Sequence, residues 1–337
     1  MKNWLLLLLL TVFAVELFGQ LRPQYTQYLQ NQYIINPAIA GIENYTDIKI
    51  SHRQQWMGIA DAPATTYFTI HGSIGDTRRA TNPTSIVPEG ENPRGSNYWD
   101  NYLSAEPHHG WGATIFNDKT GPISRLAAYG TYAYHVGLTE TVSISGGINF
   151  GVIRNSVNMS KLNFDDPNDP VLNYASDYNK IRPDIGAGIW IYGSSFFTGF
   201  SVMQLLDQGL HANRTVDFSD SRTMPVFIGS AGIRFLAGEM FNVIPSIVVR
   251  HSKGLPLGID INTKLLYLDR FWAGAAYRIN NSISGMVGMQ ISPSFNVGYA
   301  YDYTTASFGQ YAGSTHEIVV GFTIGNRFGD MCPTNVW

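Results

Sequence analysis

The chain has 337 residues and a formal net charge of −3, with 14% charged, 44% hydrophobic and 13% aromatic residues. A soluble globular domain carries roughly 25% charged residues; the plentiful aromatic and β-branched side chains exclude a disordered chain, and the charge leaves no broad footprint for nucleic acid. A single cysteine, Cys332, excludes an intramolecular disulfide framework, while 34 Gly, 19 Tyr and 18 Phe suit β-strands with close-packed backbones better than helices.

The chain opens with Met1-Lys2, an apolar run from Trp4 to Val15 and a small residue at Gly19. This pattern predicts a secretory signal peptide over 1–19, too short for the roughly 20 residues of a spanning helix. No cysteine follows the run to carry a lipoprotein anchor. Residues 20–45 show no clear alternation. Asn36 precedes Pro37, which biases it to an extended or turn conformation, so this stretch is expected to be an N-terminal arm, either a short helix or a segment folded into the domain.

From residue 46 the chain reads as about 14 strand-like segments, many with period-2 alternation. The expected strands are 46–56, 64–74, 110–118, 122–137, 140–152, 181–193 and 195–204. The series continues with 224–235, 239–251, 256–268, 270–279, 282–291, 294–304 and 315–327. In the fifth, Val142, Ile144, Gly146, Ile148, Phe150 and Val152 form one face, while Ser143, Ser145, Gly147, Asn149 and Gly151 form the other.

Alternation alone fits a soluble sandwich as well as a membrane barrel. Many segments run longer than the 5 or 6 residues usual in soluble strands, several carry aromatics near their ends, and an even strand count is what bacterial barrels have. The reading is therefore all-β: a transmembrane antiparallel β-barrel over 46–328 with a short N-terminal arm and a tail at 329–337. If both termini are periplasmic, the connections at 138–139, 236–238, 269 and 292–293 are tight periplasmic turns, and those at 153–180, 205–223 and 305–314 are long outer loops. The 75–109 connection breaks this pattern, as either a periplasmic feature or a segment hiding another strand.

Catalytic constellations are largely missing from the sequence. Gly186-Ala187-Gly188 lacks the third glycine of a dinucleotide fingerprint, and His316-Glu317 has Val320 where a zinc-protease helix needs its second histidine. Asp165-Asp166-Pro167-Asn168-Asp169 is better read as a solvated acidic turn than as a calcium loop. No enzyme activity, cofactor or metal is expected. Tyr129-Gly130-Thr131-Tyr132-Ala133-Tyr134-His135 is read as lipid contacts and interface anchors rather than a ligand platform.

Charges within the strands are more telling. Arg250, Asp260, Lys264, Arg278, Asp302 and Glu317 sit opposite apolar faces, and a charge facing lipid at mid-depth costs about 2 to 4 kcal/mol. They are expected to project inward, as a salt-bridge network in a filled lumen or as the lining of a conducting pore. The network is the favoured reading.

Particular residues also resemble a known family. Gln27-Tyr28, Ile35-Asn36-Pro37-Ala38-Ile39-Ala40-Gly41, Arg53-Gln54-Gln55-Trp56-Met57-Gly58 and Ala62-Pro63-Ala64-Thr65-Thr66 resemble the opening of PorP/SprF proteins. Asn117 to Pro122, Tyr132 to His135, Phe271 to Gly274 with Tyr277-Arg278, Gly298 to Asp302 and Ser314 to Ile318 follow in the same order. Asn36, Pro37, Ala38 and Gly41 make up the N-terminal family motif, and the ordered succession of blocks covers nearly the whole mature chain. It implies a non-enzymatic outer-membrane barrel of the Bacteroidota type IX secretion and gliding machinery. The implied partners are a secreted adhesin or cargo carrying a C-terminal sorting domain, periplasmic secretion-ring components and outer-membrane lipid. Tyr98, Trp99, Tyr174 and Tyr178 are candidate partner contacts, because loop aromatics are enriched at interfaces. A channel for small or apolar solutes is the alternative function, and a soluble secreted β-sandwich the weakest one.

Overall fold

The computed structural model describes residues 25–75, 92–93, 95–100, 102–162, 181–206, 224–292, 294–306 and 313–325, the side chains of Asn97 and Tyr98 excepted. The expected signal peptide, the C-terminal tail and the Asp165–Asp169 turn lie outside these residues.

Eight strands make up the first part of the wall: β1 (Thr46–Gln54), β2 (Ala64–Ile74), β3 (His108–Thr120), β4 (Ile123–Gly137), β5 (Val142–Val157), β6 (Ile181–Gly193), β7 (Phe196–Met203) and β8 (Val226–Ile233). The remainder are β9 (Phe235–Leu236), β10 (Phe241–Ser252), β11 (Gly258–Tyr267), β12 (Phe271–Arg278), β13 (Ser282–Ser292), β14 (Phe295–Thr304) and β15 (Thr315–Ile324). All pair antiparallel with their neighbours in one 15-stranded sheet, which closes through β10–β11 and β15–β1. The short β9 continues β8 along β10 in the same register, Gly232 opposite Ser246 and Leu236 opposite Asn242, so the cylinder has 14 staves. Closure gives each of the 14 staves a neighbour on both sides, which is what a sheet in lipid requires.

The alternation sorts as the chemistry of a bilayer demands. Along β5, Ser143, Ser145 and Ile153 face the interior, whereas Ile148 (52% exposed), Phe150 (60%) and Val152 face out. Ile283, Val287, Tyr299 and Phe322 continue the apolar exterior. A two-layered, water-soluble sandwich is thereby overturned, because its apolar faces would be buried against each other. Some strands outrun the sequence reading. β5 continues to Val157 through Arg154, Asn155 and Ser156, where alternation of polarity ends but the ladder with β4 does not.

One end of the cylinder carries tight turns, at 138–141, 194–195, 237–240, 268–270 and 293–294. At 268–270, Leu268 and Asp269 both adopt positive φ (50° and 55°), the geometry that matches strand twist in a two-residue hairpin. The other end carries the long connections at 55–63, 158–180, 204–225 and 305–314. The 75–107 connection lies at the turn end, and among its described residues there is a short helix, Ser96–Asp100, and no strand. It crosses the barrel mouth: Ser104 N bonds Glu140 O at 2.8 Å, Ala105 N bonds Ser143 Oγ at 2.8 Å, and Ser96 Oγ bonds Glu239 Oε2 at 3.2 Å.

Candidate functional site

The core of this molecule is the lumen, and residues 25–43 fill it. They form three single 3-10 turns, Gln27–Leu29, Gln32–Ile34 and Pro37–Ile39. The last is set by its sequence: Asn36 is extended, its side-chain oxygen accepts from Ala38 N at 3.0 Å, and Pro37 supplies the fixed φ of the first turn position. Tyr28, Leu29, Tyr33, Ile34, Ile35, Ala38, Ile39 and Ile42 are all buried. The segment starts in the loop half, with Tyr25 edge-on to Tyr67, and descends to Gly41 near the turn end before β1 climbs back. Gly41 turns the chain with φ +76°.

The wall is shaped to admit this plug. A Cβ at Gly110 would overlap Ala40 O, one at Gly147 the backbone of Ala38, and one at Gly188 the Asn36 side chain. Polar side chains of plug and wall then bond the backbone facing them. Asn36 Nδ2 donates to Ile189 O (3.0 Å), Ser201 Oγ to Ile35 O (2.6 Å) and Ser145 Oγ to Ala38 O (2.7 Å). His135 Nε2 donates to Ala40 O and His108 Nε2 to Gly41 O, each at 2.9 Å. Carbonyl oxygens only accept, so the His135 ring carries its proton at Nε2, while His108 presents both ring nitrogens to carbonyls, Nδ1 meeting Glu106 O at 2.7 Å. One void between plug and wall, beside Tyr33, Pro37, Thr131 and Asn149, is about 10 Å³, room for about one water.

In the loop half the contacts are ionic. Arg53 reaches Asp302 at 2.6 Å and Glu317 at 3.1 Å, joining β1, β14 and β15 across the line where the first and last strands meet. Thr26 is tied into this cluster, its N to Glu317 Oε2 at 2.8 Å and its Oγ1 to Asp302 Oδ2 at 2.7 Å. Beside it, Asp260 takes Arg250 at 2.6 Å and Arg278 at 3.0 Å. The Arg250 guanidinium lies 5.1 Å from the Tyr28 ring centroid, and Asn262 Nδ2 donates to the Tyr28 oxygen at 2.6 Å. Burial and the Asp260 carboxylate push the Tyr28 phenol well up, so it stays neutral. Arg53, Arg250 and Arg278 thus balance Asp260, Asp302 and Glu317, as buried charges require.

Of the six strand charges read from the sequence, all face the lumen, and five are brought into these two clusters. Lys264 lies outside the two clusters, its Nζ 5.6 Å from the Trp272 ring centroid. The sequence reading missed Arg53, which joins the two carboxylates, and the Asp47–Lys49 pair with His71 3.7 Å away on β2. The signal was present: Asp47, Lys49, Ser51 and Arg53 alternate with Ile48 and Ile50, the same rule that located the other six.

Of the four aromatic contact candidates, only the Trp99 side chain lies among the described groups. Trp99 is half-buried on the turn-end helix; the Tyr98 side chain, Tyr174 and Tyr178 lie outside the described groups, and the 158–180 connection belongs to the opposite end. Alternation also divides the Tyr129–His135 run. Tyr129 and His135 point inward, Tyr129 to Asp184 at 2.8 Å, while Tyr132 and Tyr134 face out beside His109. Among the described residues no three His, Cys, Asp or Glu side chains converge on a metal position.

A family model described as type IX secretion system membrane protein PorP/SprF matches residues 17–322. No curated protein matches the chain. Among solved structures, the chain is similar to the toluene transporter TodX of Pseudomonas putida, at 8% identity and a TM-score of 0.47, covering 91% of this chain and 95% of that one. It is also similar to a FadL homologue of Pseudomonas aeruginosa, at 11% identity and TM-score 0.42 over 92% and 96% of the two chains. A Rhodopseudomonas blastica porin triple mutant matches at 6% identity and TM-score 0.32, over 83% and 99%.

Proposed function

The chain belongs to the PorP/SprF family of type IX secretion system membrane proteins, and from that premise we propose that it is a non-enzymatic outer-membrane barrel that docks and retains a secreted cargo or adhesin at the cell surface. It reaches that membrane by Sec-type export and signal-peptide cleavage after Gly19. The cargo sorting domain is held by the long loops at 158–180, 204–225 and 305–314, with the rigid cylinder as their anchor.

The observation that carries this reading is the filled lumen. A wall lined with glycines and hydrogen-bonding groups fitted to residues 25–43 suits a fixed platform better than a pore. Conduction of small or apolar solutes, the alternative function, requires the plug to leave, against two ion clusters and at least five hydrogen bonds to its backbone and side chains. The test is deletion of the gene in the producing bacterium. The adhesin is expected to be synthesised but missing from the surface, and normal surface display overturns the proposal.

A further inference from the structure

The strands sort charge by sign as well as by polarity. Every acid they carry, Asp47, Asp118, Asp184, Asp260, Asp302 and Glu317, lies on the lumen side of its strand. On the lipid side, apart from histidines, the charged side chains are Lys119 on β3 and Arg154 on β5, both exposed. An acid facing lipid costs less than a base at the same depth, so cost alone would not keep the acids off this face. The outer wall selects positive charge.

Ladder register brings the two bases together at the loop end. Lys119 stands opposite Ser124 and Ser124 opposite Ser156; one row nearer the turn end, Asn117 stands opposite Leu126 and Leu126 opposite Arg154. Two strands and one row therefore separate Lys119 from Arg154, roughly 12 Å between Cα atoms at ordinary strand spacings. Between them lies a polar shelf, in which Ser156 Oγ donates to Ser124 O and Ser124 Oγ to Asn117 Oδ1, each at 3.4 Å. Below Leu126 the face is wholly apolar: Ile115, Ala128 and Val152 share the next row, and Ala113, Gly130 and Phe150 the one after. The small Ala128 leaves a trough between Ile115 and Val152, closed below where the Phe150 ring lies against Gly130. Asp61, the acid on the neighbouring 55–63 connection, is taken by Lys161.

We propose that this face of β3, β4 and β5 binds a phosphorylated glycolipid of the lipid A class, a placement that rests on the cargo-docking reading, in which the loop end faces outward and this height is the outer leaflet. The phosphate sits between Lys119 and Arg154, the arginine offering its paired donors and the lysine a point charge. Sugar hydroxyls meet Asn117, Ser124 and Ser156, and an acyl chain lies over Ala128. Bases set directly above apolar rows complement an anionic headgroup carried on acyl chains, whereas a soluble anion makes no use of the apolar rows.

The test is native mass spectrometry of the purified barrel in mild detergent, with monophosphoryl lipid A as the probe. One bound lipid is expected, held about tenfold or more weakly by Lys119→Ala/Arg154→Ala. Arg270→Ala, which removes an exposed base on the β11–β12 turn at the other end, controls for net charge and should bind as the unaltered chain does. The dephosphorylated lipid is expected to bind the unaltered barrel about tenfold or more weakly, an arm that needs no variant to fold. Undiminished binding by the double variant, an equal loss in Arg270→Ala, equal binding of the dephosphorylated lipid or of phosphatidylglycerol, or displacement by millimolar inorganic phosphate alone would each overturn the proposal. Binding in detergent requires no cargo, so its failure and a failure of adhesin display are distinguishable results.

Discussion

The two halves of the lumen hold one plug by different means. In the loop half, charged side chains do it: Arg53 between Asp302 and Glu317, with Thr26 bonded to both carboxylates. Toward the turn end, donors on Ser145, Ser201, His108 and His135 bond plug carbonyls and glycines let the two backbones meet, while the buried Asp47–Lys49 pair there stays within the wall strand β1. The physical difference is in what failure costs. A neutral hydrogen bond contributes about 0.5 to 1.5 kcal/mol net, whereas removing one member of a buried ion cluster strands its partners in low dielectric and costs about 3 to 5 kcal/mol. The plug's hold in the loop half is therefore the brittle one, and it spans the line where β1 meets β15. Seating of the plug is thus coupled to closure of the cylinder.

The largest effect should come from breaking that line. Arg53→Leu leaves Asp302 and Glu317 facing each other without their shared cation, and a loss of about 3 to 5 kcal/mol is expected. The measurement is urea unfolding of the purified barrel in detergent micelles, followed by the gel-mobility difference between folded and unfolded forms. Adding Asp302→Asn and Glu317→Gln to Arg53→Leu should recover most of the loss, since no charge is then stranded. A single-variant loss below about 1 kcal/mol would break the contrast between the halves.

In the turn half the sharp test is steric. Gly147→Val drives a side chain into the backbone of Ala38, and overpacking of this kind costs about 1 to 3 kcal/mol. Its neighbour Gly146 faces outward, and a Cβ there meets nothing within 4 Å. Gly146→Val should therefore leave the unfolding midpoint nearly unchanged. If the plug yields rather than the wall, Gly147→Val, unlike Gly146→Val, should also raise conductance across a planar bilayer. Smaller still is Ser201→Ala, which removes the donor to Ile35 O and is expected to cost about 1 kcal/mol.

The wall of this molecule was legible in the sequence and its contents were not, for a definite reason. Period-2 polarity is a local signal: Ile144, Ile148 and Phe150 against Ser143, Ser145 and Asn149 gave the strand and both of its faces together. Residues 25–43 have no such signal, because their three 3-10 turns are stabilised by groups far along the chain, such as Glu317 for Thr26 and Ser201 for Ile35. Only the Asn36-Pro37 pair announced a turn locally. The six strand charges could be read as inward, but not which would meet. Asp260 finds Arg250 and Arg278 through the register of three adjacent strands, while Asp302 and Glu317 meet Arg53 only once the cylinder closes.

An ion pair outside the lumen sharpens the contrast at the small end of the scale. Lys161 contacts Asp61 where two loop-end connections touch, with side-chain exposures of 42% and 54%. Solvent of high dielectric surrounds both groups, and such pairs contribute about 0 to 1 kcal/mol. The loop is held by other means, since Asp61 O accepts Gly121 N at 3.0 Å whatever its side chain does. Lys161→Ala is therefore expected to lower stability by less than about 1 kcal/mol in low salt, and by nothing measurable at 0.5 M NaCl, because the Debye length falls to about 8 Å already at 0.15 M. The Arg53→Leu loss should persist at both salt concentrations, its charges being at most 5% exposed. If the two variants instead responded to salt alike, the loop half of the lumen would have to be wet, and the brittleness assigned to it would have no physical basis.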